Sequence, residues 1–301
     1  MFLGSGTLAN DVVAGQLSLE GKPGLILSNG EFGERLIEQA GRFSLVFDAL
    51  EVPWGEGFDL AAVRRAFERR PSPAWLWCVH CETSTGVLNP LEQIKALGSE
   101  FEARLCLDCI SSIGTVPVDL AGVFLATCAS GKGLRAYPGV SMVFYNHNLE
   151  TASKALPRYL DLSNYRAQQG VPFTFSSNLL HALHASVKRV PWEKRFAELV
   201  ELAGWLRPKL REMGFELVGD QTETSPAVVT VALPEELNST KIGALIQESG
   251  YLLSYNSEYL RRRNWFQICL MGDCAREKLV SLLNALNRVC FKRRAARVAA
   301  S

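Results

Sequence analysis

Lys132 stands between two glycines in Ser130-Gly131-Lys132-Gly133-Leu134, just past the apolar run Val123 to Thr127 and before Pro138-Gly139. An amine with so open a backbone around it can reach a ligand carbonyl and then shuttle a proton. Asp108 is an acid embedded in the apolar run Leu105 to Ile110 and followed by Ser111-Ser112. A carboxylate at the end of a buried strand is costly unless a cation faces it. Gly4-Ser5-Gly6-Thr7 directly precedes the helical stretch Leu8 to Leu17. Its glycines admit a close-lying anion, and the helix start offers free N–H groups and the positive end of the helix dipole. His80 to Gly86 gathers hydroxyls at the carboxyl end of the strand-like run Trp75 to Val79, a place for ligand contact. Taken singly, each signal has a plainer reading: an N-cap, a helix-capping acid, a surface lysine, a polar turn.

These groups need a frame, and the first half of the chain supplies one. Apolar runs at 25–27, 45–47, 75–79, 105–110, 123–127 and 140–145 alternate with helical patterns at 34–40, 60–67 and 91–97. Continuous apolar strands alternating with helices predict an α/β fold with a mostly parallel sheet covered on both faces. Such sheets place ligands at the carboxyl ends of their strands. The second half predicts long helices at 178–187 and 196–213, then strand 228–233, helix 240–249, strand 265–270 and helix 275–289. The expected division is a large domain over 1–190 and a smaller α+β domain over 191–301.

Bulk properties narrow the class. Of 301 residues, 48% are hydrophobic and 21% charged, a globular composition. A formal net charge of +1 gives no reason to expect nucleic acid as a partner, and the basic run Lys292 to Arg294 with Arg297 reads as a solvated tail. No segment has the apolar length to span a bilayer, and Met1-Phe2-Leu3-Gly4 is not a signal peptide, so no membrane partner is expected. Eight cysteines in such a chain predict reduced thiols and a cytoplasmic location. Cys78-Val-His-Cys81 and Cys106-Leu-Asp-Cys109 have zinc-like spacing, but they sit in apolar runs and read as small buried hydrophobes; no metal is expected.

In order and spacing, Gly4 to Thr7, Asn29 to Arg35, His80 to Gly86, Asp108 to Gly114 and Ser130 to Leu134 resemble the class V aminotransferases of pyridoxal-5′-phosphate (PLP) fold type I. The nearest likeness is to 2-aminoethylphosphonate–pyruvate and alanine/serine–glyoxylate transaminases, and it runs from Gly4 to about Leu286. The resemblance implies PLP as cofactor and Lys132 as its Schiff-base lysine. It implies Asp108 as the partner of the pyridine nitrogen, Ser5, Gly6 and Thr7 as the phosphate turn, and Phe32 as the stacking ring. Thr83 falls beside the phenolic oxygen, and Ser130, two residues before the lysine, is expected among the cofactor-binding residues. Thr174 falls where the family reaches a neighbour's phosphate, which implies a homodimer with shared sites. The implied substrates are a small amino donor and a keto acid such as pyruvate or glyoxylate.

Two departures bear on this. The family usually begins well before the phosphate turn, which here starts at residue 4; the expectation is either an upstream start or a shortened homologue. Gln267 stands where the family carries a carboxylate-clamping arginine, in Trp265-Phe266-Gln267-Ile268-Cys269. A neutral amide in place of that fork would weaken carboxylate recognition by roughly 2–5 kcal/mol. Arg263, or its neighbours Arg261 and Arg262, is the candidate substitute, and a solvated loop is the competing reading. A lyase or desulfurase on the same scaffold, or a non-catalytic homologue, are the rival functions. The desulfurase would want a loop cysteine; Cys269 and Cys274 are the late candidates, with core packing expected for Cys269.

Overall fold

The computed structural model describes residues 1–69, 71–149, 155–219 and 224–292; the basic run at 293, 294 and 297 lies outside them. The central sheet has seven strands. They are β1 (Phe2–Leu3), β2 (Gly24–Ser28), β3 (Phe47–Glu51), β4 (Trp75–Val79), β7 (Arg104–Asp108), β8 (Leu125–Ala129) and β9 (Val140–Tyr145), ordered β1-β9-β8-β7-β4-β2-β3. The five strands from β3 to β8 run parallel; β9 is antiparallel to β8, and β1 is antiparallel to β9 and so points the same way as the five. Between β4 and β7 lies a hairpin of β5 (Cys81–Glu82) and β6 (Val87–Leu88).

Alternate residues of the parallel strands feed two cores, which is why these strands read as unbroken apolar runs. On one face Leu25, Leu27, Leu76, Cys78, Leu105 and Leu107 pack with helices α3 (Leu60–Phe67) and α4 (Leu91–Glu100). On the other, Ile26, Trp75, Trp77 and Cys106 pack with α1 (Gly6–Glu20) and α2 (Glu31–Arg42). Cys78, Cys81, Cys106 and Cys109 are all free and buried, as a small-hydrophobe role requires. Among the described residues no three His, Cys, Asp or Glu side chains gather as metal ligands.

Helices α5 (Leu162–Ala167), α6 (Ser177–Arg189) and α7 (Trp192–Glu212) lead into a second, three-stranded antiparallel sheet. It contains β10 (Glu216–Leu217), β11 (Val228–Ala232) and β12 (Trp265–Cys269). With α7, α8 (Ser239–Glu248) and α10 (Arg276–Asn287) it encloses its own core, including Leu199, Leu206, Val229, Ile246, Phe266 and Leu286. The short α9 (Glu258–Arg263) precedes β12. No described helix is long and apolar enough to cross a membrane.

Candidate active site

The carboxyl ends of β4, β7 and β8 open onto one cavity of about 270 Å³, whose lining includes Ser5, Gly6, Thr7, Phe32, Asp108 and Lys132. Lys132 is delivered by the turn that follows β8. Backbones approach closely there: a Cβ on Gly133 would lie 2.3 Å from the Ile113 carbonyl oxygen, so a glycine is required. Ser130 is buried and does not line the cavity. It shapes the loop instead, donating from Oγ to the Tyr137 carbonyl at 2.7 Å and accepting from the Val140 N–H at 3.2 Å. Lys132 Nζ donates to Ser111 Oγ at 2.8 Å and sits 4.9 Å from the centre of the Phe32 ring.

Asp108 ends β7 with its carboxylate turned into the cavity. Oδ2 accepts from Asn10 Nδ2 at 2.7 Å and Oδ1 from the Ile110 N–H at 2.9 Å, while Asn10 Oδ1 accepts from Thr127 Oγ1 at 2.9 Å. Burial raises the Asp108 pKa, against the pull of Asn10, the Ile110 amide and the Lys132 ammonium. Both of its hydrogen-bond partners are neutral, so the carboxylate has room for a cation from the cavity.

At the far end, Ser5 is the N-cap of α1 but makes no side-chain capping bond, which leaves the helix start open to the cavity. Thr83 is one contact removed, its Oγ1 3.4 Å from Ser111 Oγ. Thr174 is exposed and lines a different hollow with Phe2, Tyr159 and Phe173. Arg263 does not line the cavity either; its guanidinium lies 3.7 Å from the Trp54 ring centre and 5.1 Å from that of Trp265. Gln267 is buried with its amide turned onto the Thr83 and Ser84 carbonyls. Cys269 corrects the sequence expectation of core packing: it is exposed at the end of β12, 3.7 Å from Ser254 Oγ, because its side chain alternates away from the core that takes Phe266 and Ile268.

Sequence reasoning missed Asn10, Ser111, Arg35 and Gln39, all of which line the cavity. Asn10 was recoverable, since it lies one turn beyond Gly6 on the same face of the helix. Arg35 and Gln39 likewise follow Phe32 at helical spacing along α2.

His80 lies beside the cavity wall with its Nδ1 buried and unpartnered, and burial pushes its imidazole down to about 4. Such a group takes up a proton near 6.5 when unfolded but stays neutral in the fold. Its stabilising contribution is therefore whole above 6.5 and lost as pH falls toward 4, a change on the order of 3 kcal/mol. Denaturant melts of the parent are expected to weaken over that interval more than those of His80→Gln. Parallel curves for the two proteins would contradict this.

The residues present fit PLP: a carboxylate with room for a cation, an amine, an aromatic wall and an uncapped helix start surround one cavity. A parallel α/β sheet with its site at the strand ends, joined to a small antiparallel unit, is the arrangement expected of PLP fold type I. Comparison with known proteins agrees. The chain matches no family model. It is 30% identical over 266 residues to the 2-aminoethylphosphonate–pyruvate transaminase of Burkholderia ambifaria, covering 83% of this chain and 71% of the relative. The crystal structure of an alanine–glyoxylate aminotransferase from Nostoc sp. superposes with a TM-score of 0.85 at 29% identity, over 96% of this chain and 80% of that one. A ureidoglycine–glyoxylate aminotransferase from Bacillus subtilis shares the fold, with a TM-score of 0.86 at 24% identity over 97% and 79% of the two chains. The chain belongs to the class V aminotransferases of PLP fold type I, and it is an aminotransferase.

Proposed function

We propose that this aminotransferase binds PLP at Lys132 and moves an amino group from a small amine or amino acid to a keto acid. 2-Aminoethylphosphonate, alanine or a serine-like donor and pyruvate or glyoxylate as acceptor are the substrates its relatives suggest. The observation that carries the reading is the convergence of Lys132, Asp108 and the open start of α1 on one cavity.

Bound PLP supplies an electron-withdrawing ring that spreads negative charge from the reacting carbon. Lys132 would hold PLP through Nζ, and the same amine, once free, would carry the proton at the reacting carbon. Ser111 receives the Lys132 N–H and orients it. Asp108, steadied by Asn10, keeps a negative charge beside the pyridine nitrogen. Phe32 would supply the aromatic wall against the cofactor ring and shield it from water on that side. Gly6 and Thr7, with Ser5, offer N–H and O–H groups to the phosphate.

The same reading makes 1–190 a large cofactor-binding domain and 191–301 a smaller C-terminal one. It pairs two copies so that Thr174 serves the neighbour's site, and it places the enzyme in the cytoplasm. Incubating the protein and PLP with 2-aminoethylphosphonate or L-alanine, and with pyruvate or glyoxylate, tests it. Formation of the aminated acceptor is expected. Release of ammonia or sulfide without an acceptor, or no transfer from any donor, would contradict it.

A further inference from the structure

The side chain of Gln267 is 4% exposed, and its amide is fully engaged. Nε2 donates to the Thr83 carbonyl, to the Ser84 carbonyl at 3.1 Å and to Thr230 Oγ1 at 2.9 Å, while Oε1 accepts from the Tyr259 hydroxyl at 3.3 Å. Two amide hydrogens already face three oxygens, so none is left for a substrate. Thr230 adds its own bond to the Ser84 carbonyl at 3.3 Å. β11 and β12 thus grip the turn after β5 from one side.

The other side of that turn faces α2. Glu82 Oε2 accepts from the Phe32 N–H at 3.1 Å and the Gly33 N–H at 3.0 Å. Ser84 Oγ accepts from the Glu31 N–H at 3.1 Å and donates to Glu82 Oε1 at 2.5 Å. Three amides of the helix's first turn, which have no partner within the helix, are satisfied here by a distant turn. The contact is tight: a Cβ on Gly30 would lie 2.5 Å from Ser84 Oγ and 2.6 Å from Glu82 Cδ. Helix α2 then carries Phe32 to within 4.9 Å of Lys132 Nζ, and the Tyr259 ring meets Phe32 edge-on at 6.4 Å.

We propose that Gln267 is a positioning residue for the cofactor wall: it clasps the Thr83–Ser84 turn, whose Glu82 and Ser84 side chains hold the helix that presents Phe32. The consequence for specificity, which rests on the aminotransfer reading above, is that the acid group of a substrate is not held from position 267. Donors with and without a carboxylate therefore meet the same neutral surface there.

Hydrogen exchange at the amides of residues 31–33, in the cofactor-free and PLP-loaded protein, tests the clasp. Gln267→Met keeps side-chain length and removes the amide's hydrogen bonds. It is expected to speed exchange at those three amides by about tenfold, the scale of one lost hydrogen bond, and to reduce the circular dichroism of bound PLP. Ser84→Ala, which deletes the acceptor of the Glu31 amide and leaves Gln267 in place, is expected to do the same if the first variant does not fold. Leu253→Ala, a core deletion around the same sheet that leaves the clasp intact, is expected to leave residues 31–33 unchanged. At saturating PLP, KM for an acid-bearing donor is expected to stay within about twofold in Gln267→Met, since the hydrogen bonds removed contact protein only. Unchanged exchange at 31–33 in Gln267→Met would overturn the clasp, and a tenfold rise in KM confined to carboxylate-bearing donors would make Gln267 a substrate ligand after all. Faster exchange in a protein that transfers no amino group would keep the clasp and sink the aminotransfer reading.

Discussion

Lys132→Ala is expected to lower amino transfer by at least about a thousandfold, because one side chain both anchors the cofactor and moves the proton. General acid–base catalysis by a placed amine contributes about 10²–10⁴ on its own, and no second amine lines the cavity among the described residues. The fold is expected to survive the change. Lys132 is only half-buried, and its polar contacts are the Ser111 hydroxyl and the Phe32 ring. Single-turnover rates measured beside melting curves separate the two effects. A variant that folds like the parent and keeps its rate within tenfold would place the proton transfer on another group.

Asp108→Asn is expected to separate activity from stability in opposite directions. The amide keeps the shape of the carboxylate but loses the charge that would face the pyridine nitrogen. Breaking a buried pair costs about 3–5 kcal/mol, which corresponds to a loss of about 10²–10⁴ in rate. In the cofactor-free protein that charge has only neutral hydrogen-bond partners, Asn10 and the Ile110 amide, and burial raises its pKa. A carboxylate with a raised pKa loses stability as pH rises through its titration. At neutral pH the cofactor-free variant is thus expected to melt no lower than the parent while its turnover collapses. A lower melting point together with near-normal turnover would mean that Asp108 serves the fold rather than the cofactor.

Much of this arrangement was legible because the physics behind it is local. Trp75–Val79 and Val140–Tyr145 fall where their apolar runs predict. The expected strand at 45–47 forms instead at Phe47–Glu51, because it is an edge strand whose position is set by pairing with β2 rather than by burial. The run at 123–127 slides to Leu125–Ala129 although β8 is an interior, buried strand, because its register is fixed by pairing with β7 and β9 on both sides. Asp108, Lys132 and the turn at residues 4–7 stood out because a charge in an apolar strand, or glycine around an amine, is unusual wherever the chain goes. Asn10 and Ser111 did not, since an asparagine on a helix and a serine in a loop acquire meaning only when folding brings them to Asp108 and Lys132. Gln267 was legible as a position but not as a role. Nothing in Trp265–Cys269 reveals that its amide faces the Thr83 and Ser84 carbonyls, 184 and 183 residues away.

The most direct test is to load the purified protein with PLP, reduce it with borohydride and map the pyridoxyl label by mass spectrometry. One label is expected, on Lys132, with a visible absorption band in the parent that is missing from Lys132→Ala. A label spread over other lysines, or no label and no band in the parent, would contradict it.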